Sequence, residues 1–216
     1  MRKYIIPVLI VFFATLLRFW QLGGKPLWID EVLFYQFVTE GSTQEFVPVF
    51  ITKFLSNFVN IHNEFWLRLP FALAGILCVA SIFLIKGINR DSIFLACVFA
   101  FFPLFVFWSR MARPYVFGSL FIILGYKWWP FYFLSVLTTP LSIIGLNLIE
   151  FKKRWPFYLI IILFAYFLLQ IRPDIDRGFN LEFLYNAKRI WVLPATIFFL
   201  YLDDLARYFF PDRKKI

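Results

Sequence analysis

The sequence predicts an all-helical protein that crosses a membrane several times. Three observations lead to this prediction: 62% of the 216 residues are hydrophobic, only 16% are charged, and long apolar stretches follow one another along the chain. A soluble domain of this size needs more charged residues to cover its surface. The composition therefore argues against a soluble enzyme. The net charge of +9 indicates loops that face anionic lipid headgroups rather than nucleic-acid binding.

Seven apolar segments are predicted to enter the membrane, since about 20 apolar residues can cross a hydrocarbon core of about 30 Å as a helix. The first, residues 4–22, ends in Arg18, Phe19 and Trp20, which is typical of an interfacial anchor. No small-residue cleavage site follows it, so we expect a span rather than a cleaved signal peptide. The later segments are residues 66–85, 92–108, 114–126, 128–151, 155–171 and 190–205.

Residues 128–151 are ambiguous, because Thr138, Thr139 and Pro140 interrupt a stretch long enough for one span. Two short helices there give eight membrane segments, cytoplasmic termini, and 12 Lys and Arg inside against 10 outside. A single span gives 9 inside against 13 outside, which opposes the positive-inside rule. We predict eight membrane helices, with seven as the alternative, in the cytoplasmic membrane of a prokaryote.

Residues 1–216 are predicted to form a single transmembrane domain with two extracytoplasmic loops long enough to hold chemistry, 23–65 and 172–188. Within the first loop, polar residues of the stretch 46–59 share one helical face, which predicts a helix lying along the membrane interface. This helix is either a plain amphipathic anchor or a lid over a site. The polar residues are Thr52, Lys53, Ser56 and Asn57.

Metal-binding signals are weak. Cys78 and Cys97 lie in apolar stretches without neighbouring ligands, and a single His62 excludes a multi-histidine site. Asp174 and Asp176 have a spacing that suits a divalent cation, although an internally neutralised turn is the favoured explanation. No cofactor is predicted, and a divalent cation stays open as an alternative.

Two adjacent acids, Asp30 and Glu31, follow the first predicted span in a chain with few acids. Neighbours on a helix point about 100° apart, so at most one of the two would be a reacting base. The alternative is that acids in a first helical turn complement the helix dipole, which contributes about 0.3 to 1 kcal/mol each.

Basic residues mark two further places near the outer interface. Arg110 and Arg113 stand at i and i+3 before Pro114, so both guanidinium groups could face one anion. The alternative is that they extend to lipid phosphate at the end of a span. Glu64 and Arg68 stand at i and i+4, which predicts that they pair with each other.

Taken together, these elements resemble the GT-C glycosyltransferases, in the branch of the protein O-mannosyltransferases and of the enzymes that add aminoarabinose to lipid A. The resemblance covers roughly the first 126 residues and rests on the succession of short motifs, none of which is specific alone. They are Leu17-Arg18-Phe19, Leu27-Trp28-Ile29-Asp30-Glu31, a stretch containing Pro48, residues 65–75 (FWLRLPFALAG), Phe102-Pro103, and residues 109–115.

The resemblance implies sugar transfer from a polyprenyl-phosphate or dolichyl-phosphate donor to a protein, lipid or glycan acceptor, on the extracytoplasmic face and with inversion. It implies that catalysis lies at Asp30, beside Glu31, with Asp30 taking the proton of the acceptor hydroxyl. A positive clamp on the leaving phosphate is chemically sensible. The residues predicted to bind the donor phosphate are Arg110, Arg113, Tyr115 and Arg68.

The chain also departs from this family. Relatives commonly have more spans and often a soluble C-terminal domain, so the sequence corresponds to their N-terminal membrane module. A second acidic motif is not visible in residues 109–115. The alternative function is a catalytically silent module that binds lipid phosphate or scaffolds a larger glycosyltransferase, with a partner subunit. A transporter is disfavoured, because apart from Lys127 no ionisable residue lies deep in the predicted spans.

Overall fold

The described part of the protein is all-helical, as the sequence predicts. The computed structural model describes residues 2–41, 45–128 and 130–138, and these contain eight helices and no strand. The predicted segments 155–171 and 190–205, and residues 139–151, lie outside this part. The helices are α1 (Arg2–Phe19), α2 (Ile29–Glu40), α3 (Phe46–Ser56), α4 (Glu64–Lys86), α5 (Arg90–Phe101), α6 (Pro103–Ser109), α7 (Tyr115–Gly125) and α8 (Pro130–Thr138).

Helix α4, with 23 residues, is long and apolar enough to cross a membrane by itself. Helices α5 and α6 pass the same test together, but they meet at an angle of 57°. By length and composition, the described residues therefore contain one candidate membrane span, α4. They contain two if the bent pair α5 and α6 is counted as a single span. The eight membrane helices expected from the sequence stay a prediction.

Pro103 divides the predicted span over residues 92–108 into the two helices α5 and α6. Helix α5 ends at Phe101, and Phe102 is extended, with φ −65° and ψ 125°. A proline has no backbone N–H and disfavours helical geometry at the preceding residue. The carbonyl of Phe99 therefore loses the donor that it would meet four residues later in a continuous helix.

Arg18 of α1 supplies donors at this break. Its Nη2 donates to the carbonyl of Phe99 at 2.8 Å, and its Nη1 donates to the carbonyls of Ala100 at 3.4 Å and Ala14 at 3.2 Å. The side chain is only 1% exposed. The sequence predicted an interfacial anchor here. Instead Arg18 is buried in protein, because the broken helix presents carbonyl groups that need a partner.

Helix α4 lies at the centre and packs against α1, α5, α6 and α7. Gly75 allows the closest approach: a Cβ there would lie 2.4 Å from the Cβ of Ser109 and 2.6 Å from Nε of Arg18. No larger residue fits without displacing a neighbouring helix. This packing brings the end of α1, the start of α4 and the turn at 110–114 together, and the candidate site lies where they meet.

The first long loop contains α2 and α3. Helix α3 agrees with the helix predicted over 46–59, but its faces differ from the expected pattern. Thr52 is fully buried, whereas Lys53 is exposed, so the predicted polar residues do not share one environment. Phe50 and Phe54, one helical turn apart, point outward instead. The helix therefore presents aromatic side chains on its open face.

Candidate active site

The predicted site residues gather where four segments meet. These are the loop after α1, the first turn of α2, the first turns of α4, and the turn between α6 and α7. The last three of these segments carry charged residues singled out from the sequence, and the charged side chains of the site separate into three groups. The groups are a buried ion pair (Glu31 and Arg68), a cluster around Arg113 (Asp30, Glu45, Arg113 and Tyr115), and a cleft beside Arg110.

Glu31 is fully buried and accepts four hydrogen bonds. Arg68 donates two of them, from Nε at 2.8 Å and from Nη2 at 2.7 Å, in the bidentate geometry typical of a strong pair. The backbone N–H of Ala112 donates at 2.9 Å and that of Trp28 at 3.0 Å. Glu31 therefore joins α2, α4 and the turn at 110–114 around one carboxylate.

The same contacts keep the Glu31 carboxylate charged. Burial by itself raises the pKa of Glu31, but the hydrogen bonds from Arg68, Ala112 and Trp28, together with the Arg68 charge, outweigh burial. The net result is a pKa below the ordinary value of 4.5. At neutral pH Glu31 is therefore an anion with its hydrogen-bonding capacity in use, which suits a structural role.

Arg68 is equally engaged. It is 4% exposed, and Nη1 donates to the carbonyls of Leu22 and Lys25, each at 2.9 Å. Nη2 donates to the carbonyl of Pro26 at 3.0 Å in addition to Glu31. A guanidinium has five N–H groups, so protein oxygens take all of them. In this arrangement Arg68 holds the loop after α1 in place, and its predicted contact with a donor phosphate would require releasing one of these bonds.

The predicted ion pair between Glu64 and Arg68 is wrong, because Arg68 pairs with Glu31, 37 residues away. Glu64 lies half-buried in the first turn of α4. Glu31 meets Arg68 inside the protein with both carboxylate oxygens, which is a stronger interaction than an exposed pair one helical turn apart. Tertiary packing therefore overrides the local spacing.

Asp30 diverges from Glu31, as the helical geometry predicts. Its side chain is half-buried rather than buried, and its backbone carbonyl accepts from Nη1 of Arg113 at 3.4 Å. The negative charge of Asp30 also helps to raise the pKa of Arg113. The two neighbouring acids therefore face different surroundings, and of the two only Asp30 reaches the surface.

Arg113 is held by an acid that the sequence analysis missed. Its Nη1 lies 3.4 Å from Oε1 of Glu45, and its Nη2 donates to the hydroxyl of Tyr115 at 3.4 Å. Burial lowers the pKa of Arg113, but the negative charges of Glu45 and Asp30 and the contact with the Tyr115 hydroxyl more than compensate, and the net pKa is raised. Arg113 therefore stays charged next to Asp30.

The importance of Glu45 could not be read from its neighbours in the sequence. It stands just before α3 with φ +51°, a left-handed conformation that is uncommon for a residue other than glycine. The one available signal was an acid directly before an apolar helix. That pattern is common, and the contact with Arg113 spans 68 residues.

Arg110 lines a cleft of about 120 Å³ between the loop after α1 and the turn at 110–114. Its Nη2 donates to the carbonyl of Trp20, and its Nε is buried without a hydrogen-bond partner among the described residues. The cleft is lined by charged, polar and apolar side chains. They are Gln21, Leu22, Lys25, Trp28, Glu31, Arg68, Phe107, Arg110 and Met111.

The structure does not bring Arg110 and Arg113 onto one anion position, which the i and i+3 spacing had suggested. Arg110 lines the cleft with Lys25, whereas Arg113 contacts Glu45 and Tyr115. The short turn between α6 and α7 separates them because it is not a continuous helix, so the two side chains do not share a face. They therefore have different environments despite their proximity in sequence.

Among the described residues, no group of three or more His, Cys, Asp or Glu could hold a metal ion. The Asp174 and Asp176 pair lies outside those residues. Cys78 is buried and Cys97 is half-buried, and both are free thiols. The charged groups in the described part of the site are carboxylates, guanidinium groups and an amine.

No protein-family model, no curated protein and no solved structure matches this chain. The similarity to GT-C glycosyltransferases therefore stays a prediction from short motifs.

Proposed function

We propose that the chain is a membrane-embedded glycosyltransferase of the GT-C type that takes its sugar from a polyprenyl-phosphate donor on the extracytoplasmic face, with Asp30 as the base. One observation carries this proposal: the two adjacent acids at the start of α2 have separate roles. Glu31 is occupied by four hydrogen bonds inside the protein. Asp30 reaches the surface beside a permanently charged Arg113.

The chemistry requires one base and one anion site. The acceptor hydroxyl oxygen attacks the anomeric carbon, the bond from that carbon to the phosphate oxygen breaks, and the proton of the hydroxyl passes to Asp30. The leaving lipid phosphate then carries an additional negative charge, which fixed cations stabilise. A cleft lined by Glu31 also carries cationic side chains, and its Arg110 belongs to the same short turn as Arg113.

Exposed apolar surface supports a membrane location. Nine large hydrophobic side chains of α1, between Tyr4 and Leu17, are each exposed by 40% or more. A continuous apolar face of this kind is a sign of contact with lipid or with another protein. The outward aromatic side chains of α3, Phe50 and Phe54, fit a helix that rests in the interface. Further spans, cytoplasmic termini and a protein, lipid or glycan acceptor are part of the proposal.

The test is turnover of polyprenyl-phosphate-linked sugars by purified protein in liposomes. Asp30→Asn should reduce sugar release by a factor of about 10² to 10⁴, because a positioned base contributes roughly that much. The matched control is Glu40→Gln, which removes an exposed acid from the other end of α2 and should leave the rate unchanged. Turnover that persists in Asp30→Asn would remove Asp30 from the mechanism.

A second function, a catalytically silent module that binds lipid phosphate, is favoured by one observation. Asp30 does not line the cleft beside Arg110, so an anion could bind there without meeting the proposed base. Under this alternative the wild-type protein would release no sugar from any donor. It would still bind polyprenyl phosphate, and Asp30→Asn would bind it equally well.

A further inference from the structure

We propose that the cleft beside Arg110 binds the phosphate group of an amphipathic phosphate ester, with Lys25 and Arg110 as its cationic ligands and with Trp28 and Phe107 as an apolar wall. This deepens the proposed function and rests on it for the identity of the ester as a polyprenyl phosphate. It differs from the sequence prediction in two ways. Lys25 is added, and Arg113 and Arg68 are excluded from the phosphate contact.

The charged side chains that line the cleft have a net positive charge. They are those of Lys25, Glu31, Arg68 and Arg110. Glu31 and Arg68 neutralise each other in a buried pair, 2.7 Å apart. Neither Lys25 nor Arg110 forms an ion pair with any residue in the described ranges 2–41, 45–128 and 130–138. The cleft therefore carries two positive charges that have no counterion among the described residues, which favours an anion.

The cleft also offers room beside Arg110. The guanidinium of Arg110 donates to the carbonyl of Trp20, and its side chain is half-buried and lines the cleft. The cleft, at about 120 Å³, is far larger than the roughly 10 to 15 Å³ that one water needs. It therefore has room for an anionic group, or for several waters, next to Arg110.

The apolar wall of the cleft favours an ester over free phosphate. The rings of Trp28 and Phe107 meet edge to face, with centroids 6.0 Å apart. Both are large and remain substantially exposed, at 56% and 43%. Met111 adds a further apolar surface to the lining. A ligand that places its phosphate at the cations can therefore lay its hydrocarbon or sugar portion against these rings.

The loop that carries Lys25 is already fixed before a ligand arrives. Arg68 donates to the backbone carbonyls of Leu22, Lys25 and Pro26. The backbone is therefore held before, at and after Lys25. Binding therefore does not have to order the backbone of this loop, which reduces the entropic cost. Arg68 is in this sense a positioning residue for the phosphate site.

The experiment is equilibrium binding of radiolabelled polyprenyl phosphate to the full chain in phosphatidylcholine nanodiscs. Lys25→Gln and Arg110→Gln should each weaken binding by about tenfold, as expected for the loss of one charge-assisted contact. Arg110→Lys should retain more binding than Arg110→Gln, because it keeps the charge. Arg90→Gln is the charge-matched control. Arg90 is exposed at the first residue of α5 and does not line the cleft, so this variant should bind like wild type.

Competitors separate the sources of the phosphate. Excess inorganic phosphate should displace the probe poorly, because it gains nothing from Trp28 and Phe107, and phosphatidylglycerol should displace it less well than unlabelled polyprenyl phosphate. Displacement by inorganic phosphate as efficient as by the unlabelled lipid would overturn the ester assignment. Equal displacement by phosphatidylglycerol would show a general site for anionic headgroups and overturn the polyprenyl assignment.

Failure of this inference is distinguishable from failure of the proposed function. Asp30→Asn should bind the probe like wild type, even where it releases no sugar. Unchanged binding in both Lys25→Gln and Arg110→Gln, with both variants folded by circular dichroism, would overturn the phosphate site and leave the role of Asp30 standing. Normal binding in a wild-type protein that never releases sugar would support the site and count against the enzyme.

Discussion

Arg68 and Arg110 line the same cleft, but they differ in how many of their N–H groups bind protein oxygens. Arg68 is paired with Glu31 and donates to three carbonyls of the loop after α1. Arg110 donates to the carbonyl of Trp20 and keeps a buried Nε without a partner among the described residues. All five N–H groups of Arg68 bind protein oxygens, so Arg68 holds the site together, whereas Arg110 has no ion-pair partner among the described residues and is placed to meet a ligand in the cleft.

The largest effect expected from this comparison is the loss of stability in Glu31→Ala. Removing the carboxylate leaves Arg68 buried with an uncompensated charge, which costs about 3 to 5 kcal/mol. Denaturant unfolding of the purified protein measures the change. Arg110→Gln is the contrasting variant and should cost less than about 1 kcal/mol, since it breaks no ion pair. A similar loss in both variants would contradict the distinction between the two arginines.

The second expected effect concerns Arg18, which resembles Arg68 in being buried but binds carbonyls instead of an acid. If Arg18 replaces the N–H that Pro103 lacks, the two residues must be energetically coupled. Arg18→Met should therefore destabilise the wild-type protein more than it destabilises Pro103→Ala, in which the N–H is restored. A double-mutant cycle should give a coupling of about 1 to 2 kcal/mol. Additive effects would mean that Arg18 contributes only through packing.

The smallest effect expected is the dependence of stability on pH, because protonation of Glu31 removes its charge but keeps its side chain in place. The pKa of Glu31 in the folded protein lies below 4.5, so the unfolded chain binds a proton first as pH falls. Its contribution is complete above pH 4.5 and is lost as the pH falls through the folded-state pKa. Thermal unfolding of wild type against Glu31→Gln checks this, since the variant should lose less stability on acidification.

The sequence predicted the elements of this fold better than their contacts. Helical spacing and apolar length sufficed for α1, α4 and α7, and for the divergence of Asp30 from Glu31. The break at Pro103 could have been anticipated from the proline itself, although a long apolar run concealed it. The Glu31 and Arg68 pair and the contact of Glu45 with Arg113 could not be foreseen, because both depend on helix packing across 37 and 68 residues.

The proposal that the two adjacent acids have separate roles is open to one decisive measurement. It is the rate of sugar release from a polyprenyl-phosphate donor in a single turnover, expressed per folded molecule, for wild type and Asp30→Asn. We predict a fall of about 100-fold or more with an unchanged melting temperature, because in the proposed mechanism Asp30 takes the proton while Glu31 holds the structure. A variant that releases sugar at a rate close to wild type would contradict the account.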